Sequence, residues 1–195
     1  MRDVLGGLNR GLVFVISAPA GTGKTTLVRM LCKKYPCIVH SISYTTRAPR
    51  HNEVPNRDYH FISQVEFEKK IEKGEFLEYA KVFDHYYGTS RAFVDNQQAL
   101  GKHVILVIDT QGAIQLKEVY DAIFIFISPP NLAELQKRLH SRRSETESTM
   151  GQRLAWAEKE MALASLYDYH IINERIPIAY EVLRAIFIAE EHKNR

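Results

Sequence analysis

Apolar and polar positions along the chain follow two alternating rhythms. Residues 12–17 form a short apolar run rich in β-branched side chains, as expected of a strand buried on both faces. Residues 25–34 carry Leu27, Met30 and Leu31 at helical spacing and stop before Pro36, which predicts a helix. The pair of signals recurs. Runs at 104–108, 122–127 and 170–172 read as further buried strands, and 113–119, 132–142 and 177–190 read as helices. Pro177 suits a first helical turn, where its missing N–H is not needed. Strands alternating with helices predict an α/β fold, a parallel sheet with helices on both sides.

Two stretches break the rhythm. Residues 42–89 are polar, hold Pro49 and Pro55, and contain shorter alternating runs at 59–62 and 76–83. They read as a small β-rich insertion, a substrate-binding arm. Residues 141–149 are almost wholly polar and charged. A mobile lid and a solvated connection between helices fit that composition equally. The length of 195 residues suits one domain with small insertions, and 45% hydrophobic content supports a substantial core.

Charge and cysteine content narrow the partners. The net charge of +3 is mild and no Lys/Arg run occurs, so a small phosphate ligand is favoured and nucleic acid is not. Cys32 and Cys37, five apart, match neither a zinc pattern nor a disulfide framework, which predicts free thiols and a cytoplasmic protein. The apolar stretch after Arg10, ending Ala18-Pro19-Ala20, mimics a signal peptide with its cleavage site. It is too short and runs directly into a glycine-rich loop, so it reads as a strand. No segment is long enough to span a membrane, and no membrane partner is expected.

That loop carries the first chemistry. Ala18, Pro19, Ala20, Gly21, Thr22, Gly23, Lys24, Thr25 and Thr26, placed between a predicted strand and helix, form a P-loop. Its glycines let backbone N–H groups curve around phosphate oxygens, and the helix N-terminus adds positive potential there. Lys24 is placed to reach the β- and γ-phosphates of ATP, and the Thr25 hydroxyl to ligate Mg²⁺. Ala18 stands at the first glycine of the general motif, which a negative φ permits. The loop predicts ATP binding without choosing a reaction.

The choice comes from Ser41-Ile-Ser43-Tyr-Thr-Thr46-Arg47-Ala-Pro49-Arg50. Two arginines three apart, stiffened by proline, suit a phosphate monoester, and Tyr59 and Tyr87 are candidate hydroxyl donors. With Glu53 and Tyr59, Phe76-Leu77-Glu78-Tyr79-Ala80, Tyr86-Tyr87-Gly88-Thr89 and Asp109-Thr110-Gln111-Gly112 following in order, the chain resembles guanylate kinases from its first strand to its last helix. The resemblance implies a P-loop NTPase fold in one domain, 1–195. Its core would be 11–41, 90–137 and 154–195, its GMP-binding arm 42–89 and its helical lid 138–153. It further implies that Arg47, Arg50, Tyr59 and Tyr87 bind the phosphate of GMP, while Ser43, Glu78, Thr89 and Asp109 surround guanine. The chemistry agrees, because guanine presents adjacent N1–H and N2–H₂ donors and an ionised carboxylate only accepts.

In the stretch after Arg138, the run Arg142-Arg143-Ser144-Glu145-Thr146-Glu147 and the later Arg153 are similar to the family lid. Matching positions imply that Arg142 and Arg153 close on the transferring phosphoryl group, with Lys24 and Arg50 as catalytic partners. Arg138 and Asn173 would lie on the ATP side, with Glu174 where the family commonly has Asp. The implied reaction is phosphoryl transfer from MgATP to GMP, and to dGMP, in purine nucleotide metabolism. Other departures are Val107 at a position commonly carboxylate, Asn52 and Asn56 at usual glycines, and Asp84-His85 where Gly-Asn is common. Histidines 40, 60 and 103 read as structural or surface residues, and Trp156 as packing. A non-catalytic interaction module is disfavoured by the presence of Lys24 and Thr25, and a regulatory GTPase by the lack of an N-K-x-D motif.

Overall fold

The computed structural model describes residues 4–51, 53–82, 84–141 and 147–194, with 141 and 147–150 described by their backbone only. Its elements run β1 (Val13–Ser17), α1 (Lys24–Lys34), β2 (Ile38–His40), β3 (Tyr44–Thr45), β4 (His60–Phe61), α2 (Gln64–Glu72), β5 (Phe76–Val82) and β6 (His85–Ser90). They continue α3 (Arg91–Ala99), β7 (His103–Val107), α4 (Thr110–Lys117), β8 (Ile123–Ser128), α5 (Leu132–Ser141), α6 (Glu147–Ala162), β9 (Tyr169–Ile172) and α7 (Ile176–Glu191).

Five strands form a parallel sheet in the order β2-β7-β1-β8-β9. Side-chain alternation along β1 sorts its residues onto two cores. Phe14 and Ile16 pack with Leu27 and Leu31 of α1 and Leu183 and Phe187 of α7. Val13 and Val15 pack with Val94 of α3 and Ala113 and Leu116 of α4. The sheet is covered on both faces, as a run without polar interruptions requires. In α1 the buried side chains are Leu27, Val28 and Leu31, and Met30 is 36% exposed. The helical stripe is thus centred one position earlier than the sequence suggests.

A second sheet, β4-β3-β6-β5, is mostly antiparallel and occupies the interrupted stretch. It includes a helix that hydrophobic alternation did not disclose. Ser63 and Glu66 form a reciprocal capping box at the start of α2, and Phe67 stacks on Phe76 and Tyr86. A single aromatic anchor holds this helix, so its apolar stripe is too narrow to stand out. Gly88 lies beneath these rings, where a Cβ would come within 2.9 Å of Phe67.

Two non-glycine residues take left-handed backbone, Asn56 at φ 63° and Asp84 at φ 66°. Both stand where the resembling family commonly has glycine, and Asn and Asp are the side chains that tolerate this region best. Asn52 lies outside the described residues. Ala18 is not among the positive-φ residues, so its Cβ carries no strain.

Candidate functional site

Strand order places the site. β1 sits between β7 and β8, and the loops leaving the carboxyl ends of β1 and β7 open a crevice between them. From β1 the chain enters the glycine loop. Gly21 and Gly23 adopt φ of 91° and 89°, values that favour glycine. A Cβ on Gly23 would meet Asn173 Nδ2 at 2.7 Å, so the loop is packed as well as turned. Thr22 is buried, its hydroxyl donating to Pro19 O at 3.0 Å. No side chain caps α1 and no acidic residue stands in its first turn, so its N–H groups face the crevice uncompensated. Ala18 and Pro19 are buried, while Ala20, Thr25 and Thr26 are exposed.

The adenine-side candidates act on the loop from below. Asn173 is 1% exposed, and its Nδ2 donates to Thr22 O at 2.6 Å while its Oδ1 is buried without a partner. Arg138 donates to Asn173 O at 2.9 Å and Glu174 O at 3.1 Å, and pairs with Glu134 at 2.9 Å. Glu174 therefore contributes its backbone carbonyl here, which a change from Asp to Glu leaves untouched.

A cleft of about 250 Å³ joins the two sheets. The core supplies Lys24, Thr25 and Asp109, and the second sheet and its approaches supply Ser43, Tyr59, Glu78 and Tyr87. Thr89, fully buried on β6, donates its hydroxyl to Glu78 Oε1 at 2.6 Å across the strand pair. Glu78 is only 9% exposed, and burial, with Asp109 nearby adding to it, pushes its carboxyl up to about 7 against the Thr89 bond. Asp109 caps α4, Oδ1 accepting from Gly112 N at 2.8 Å. A Cβ on Gly112 would lie 2.6 Å from Glu78 Oε2, so glycine there lets α4 approach the carboxylate.

The arginine pair is less symmetric than its spacing suggests. Arg47 makes a two-pronged ion pair with Glu53, at 2.9 and 2.8 Å, donates from Nε to Tyr87 Oη at 3.2 Å and lies over the Tyr59 ring. Glu53 also accepts from Arg50 N at 2.8 Å. The sequence offered Glu53 as a motif member without a role; the fold makes it the group that orients Arg47. Arg50 is exposed and opens instead on an adjoining cavity with Thr25, His40, Tyr59 and Val107. Burial, with Lys24 and Arg29 adding to it, holds His40 down at about 4, so it is neutral at pH 7.

Arg142 lies outside the described residues, and Arg153 is half-buried on α6. Glu160, also on α6, was not anticipated. It is 7% exposed and lines the same cleft as Lys24 and Asp109. Its only sequence signal is its place seven residues after Arg153, two turns along one helix face.

Comparisons with known proteins place the chain among relatives. Residues 10–190 match the family model described as guanylate kinase. The guanylate kinase of Protochlamydia amoebophila is 56% identical over 191 residues, covering 97% of each chain. That of Chlamydia felis is 48% identical, covering 93% of this chain and 90% of its own. Among solved structures, guanylate kinase from Anaplasma phagocytophilum aligns with a TM-score of 0.78 at 32% identity, covering 98% of this chain and 91% of that one.

Proposed function

The chain belongs to the guanylate kinase family, and from that premise we propose how its cleft carries out the family reaction, ATP plus GMP giving ADP plus GDP. The carrying observation is that a buried carboxylate, Glu78, opens on the same cleft as the P-loop lysine. Guanine offers two adjacent donors to Glu78, whereas adenine would leave that carboxylate facing an acceptor. Ser43, Thr89 and Asp109 complete the base site. Arg47, held by Glu53, joins Arg50, Tyr59 and Tyr87 in taking the monophosphate, so its oxygens face the P-loop.

On the ATP side the residues Ala18 to Thr26 wrap the phosphates with backbone N–H groups, and Lys24 follows charge onto the transferring phosphoryl group. Asn173 and Arg138 support the adenine end; the orphaned Asn173 Oδ1 is an acceptor suited to an exocyclic amine. Arg142 and Arg153 are the candidates that close over the transfer, from a lid spanning 138–153. The arm, 42–89, and the core, 11–41 with 90–137 and 154–195, are the remaining bodies of the single domain.

Mg²⁺ fits these residues in a limited way. Among the described residues no group of three His, Cys, Asp or Glu is placed to hold a metal ion. Mg²⁺ commonly takes one or two protein ligands beside phosphates and water, and the Thr25 hydroxyl meets that need without a carboxylate at Val107. Bound there, the ion would neutralise charge on the ATP phosphates.

We assign dGMP as a second acceptor, the cytoplasm as location and purine nucleotide metabolism as context. Coupled detection of ADP formation with GMP, dGMP, IMP, AMP and dTMP tests the acceptor. GMP should lead, and preference for a non-guanine acceptor defeats the reading. Lys24→Ala should nearly abolish turnover while GMP still binds; near-normal kcat in that variant would remove Lys24 from the chemistry.

A further inference from the structure

The last helix is apolar on more than the face it buries. Ala179, Leu183, Ile186 and Phe187 of α7 are buried in the core shared with α1. On another side Ile178, Val182, Ala185 and Ala189 are all exposed, Ile178 at 57% and Val182 at 43%. Their spacing of four, three and four residues holds them in one narrow stripe, the seam of a helix that packs on a second helix. A single exposed Ile or Val is ordinary; an unbroken stripe of four apolar positions on the outer side of a helix is not. No charged residue falls within it. Glu181 and Arg184 lie along one border, paired at 3.3 Å, and Arg184 Nε donates to Oη of Tyr35, the C-cap of α1, at 2.6 Å. The stripe therefore lies on the flank of α7 away from α1, toward β9, the edge strand of its sheet.

The seam is complementary to itself in one arrangement. Its large residues, Ile178 and Val182, occupy the amino-terminal half and its alanines the carboxyl-terminal half. Antiparallel pairing about a twofold axis sets Ile178 against Ala189 and Val182 against Ala185, large on small, and repeats each contact. Parallel pairing would set Ile on Ile and leave alanine facing alanine across a gap. Charge follows the antiparallel register. Exposed Glu174, just before α7, comes beside exposed Lys193, just after the α7 of the second copy, and the two helix dipoles oppose.

We propose that this stripe is the twofold interface of a homodimer, with α7 packed antiparallel on the α7 of a second copy of the chain. The occupant is a second copy because the shape and end charges of the stripe match the stripe itself, turned end for end. The inference is independent of the proposed function. One helix pair makes a small interface, so dissociation is expected in the micromolar range.

Sedimentation velocity on the full chain, from about 1 to about 200 µM, should show the mass rising from one chain toward two. Ala185→Glu and Val182→Lys each place a charge in the seam twice over. Each should weaken dimerisation about tenfold or more and leave the thermal midpoint of the single chain unchanged, since both positions are exposed there. Mixing the two variants should restore the dimer, because position 182 of one copy faces position 185 of the other. Wild type that stays monomeric at the highest concentration overturns the inference. A dimer that both variants leave intact overturns it too, by placing the interface elsewhere, as does a dimer that mixing fails to restore. Should either variant fail to fold, Ile178→Lys and Ala189→Glu at the outer rungs must behave as the first pair; no loss alone, or no recovery on mixing, overturns it equally.

Discussion

At the scale of single residues, the proposed preference for guanine rests on Glu78. Burial pushes its carboxyl up to about 7, and the proposed guanine contact requires the ionised form. Below that pH, GMP binding must expel a proton, so affinity should fall about tenfold per pH unit on the acid side. Measurement of GMP affinity between pH 5.5 and 8.5 checks this, and Glu78→Gln should flatten the profile. The same variant turns an amide donor toward guanine donors and should lower kcat/KM for GMP by about 10²-fold or more. Glu53 teaches a related lesson. Burial raises its pKa, but the Arg47 side chain and Arg50 N–H outweigh burial and leave it below the ordinary value. It is an ionised brace for Arg47, which without it would lose its two-pronged ion pair and keep its bonds to Tyr87 Oη and Ala48 O.

At the scale of elements, close approach and end-capping decide the geometry. α4 begins at an aspartate cap and reaches Glu78 only because position 112 has no Cβ. Gly112→Ala should therefore displace the carboxylate and raise the KM for GMP roughly tenfold or more, with a smaller effect on the KM for ATP. Steady-state kinetics with each substrate varied separates the two. The far end of α7 has a structural counterpart. Glu191 accepts from Gly6 N and Gly7 N at 2.9 and 2.8 Å and meets His103 Nε2 at 2.6 Å, while His103 Nδ1 accepts from Leu12 N. Burial raises the Glu191 pKa, yet these donors overcome it and the net shift is downward. A lowered carboxylate contributes stability above its unfolded pKa that is lost as pH falls through the folded value. Glu191→Ala should cost about 3–5 kcal/mol in chemical denaturation at pH 7, and less at pH 3.

At the scale of the whole molecule, the two sheets are separate hydrogen-bonded units flanking the cleft. One bridge between α1 and the second sheet's approaches is the Arg29–Asp58 pair at 3.1 Å, with Arg29 67% exposed. Exposed pairs of this kind contribute little, whereas Leu77 of β5 is buried in the same cluster as Val13, Val15 and Leu116 and anchors the second sheet at that end, so any closure is expected at the end of the cleft away from it. GMP and a non-hydrolysable ATP analogue together should reduce the radius of gyration in solution scattering, and neither alone should do so fully. An unchanged profile at saturation counts against closure.

The α/β rhythm, the glycine loop and the order of the acceptor motifs were legible in the chain itself, because they depend on local periodicity and on residues adjacent in sequence. The helix α2 was not, since one aromatic anchor and a capping box leave no broad apolar stripe. Glu53 stood within a visible motif, but its bond to Arg47 depends on how one turn folds. Glu160 had no signal beyond its helical spacing from Arg153. It lines the same cleft as Lys24 only after β1, β7 and α6 are brought together, across 136 residues of chain. Sequence alone determined which chemical groups the protein owns and which elements carry them. Tertiary structure decided which carboxylate faces which cation, because burial and long-range proximity set charge and partner, and neither is a property of a segment.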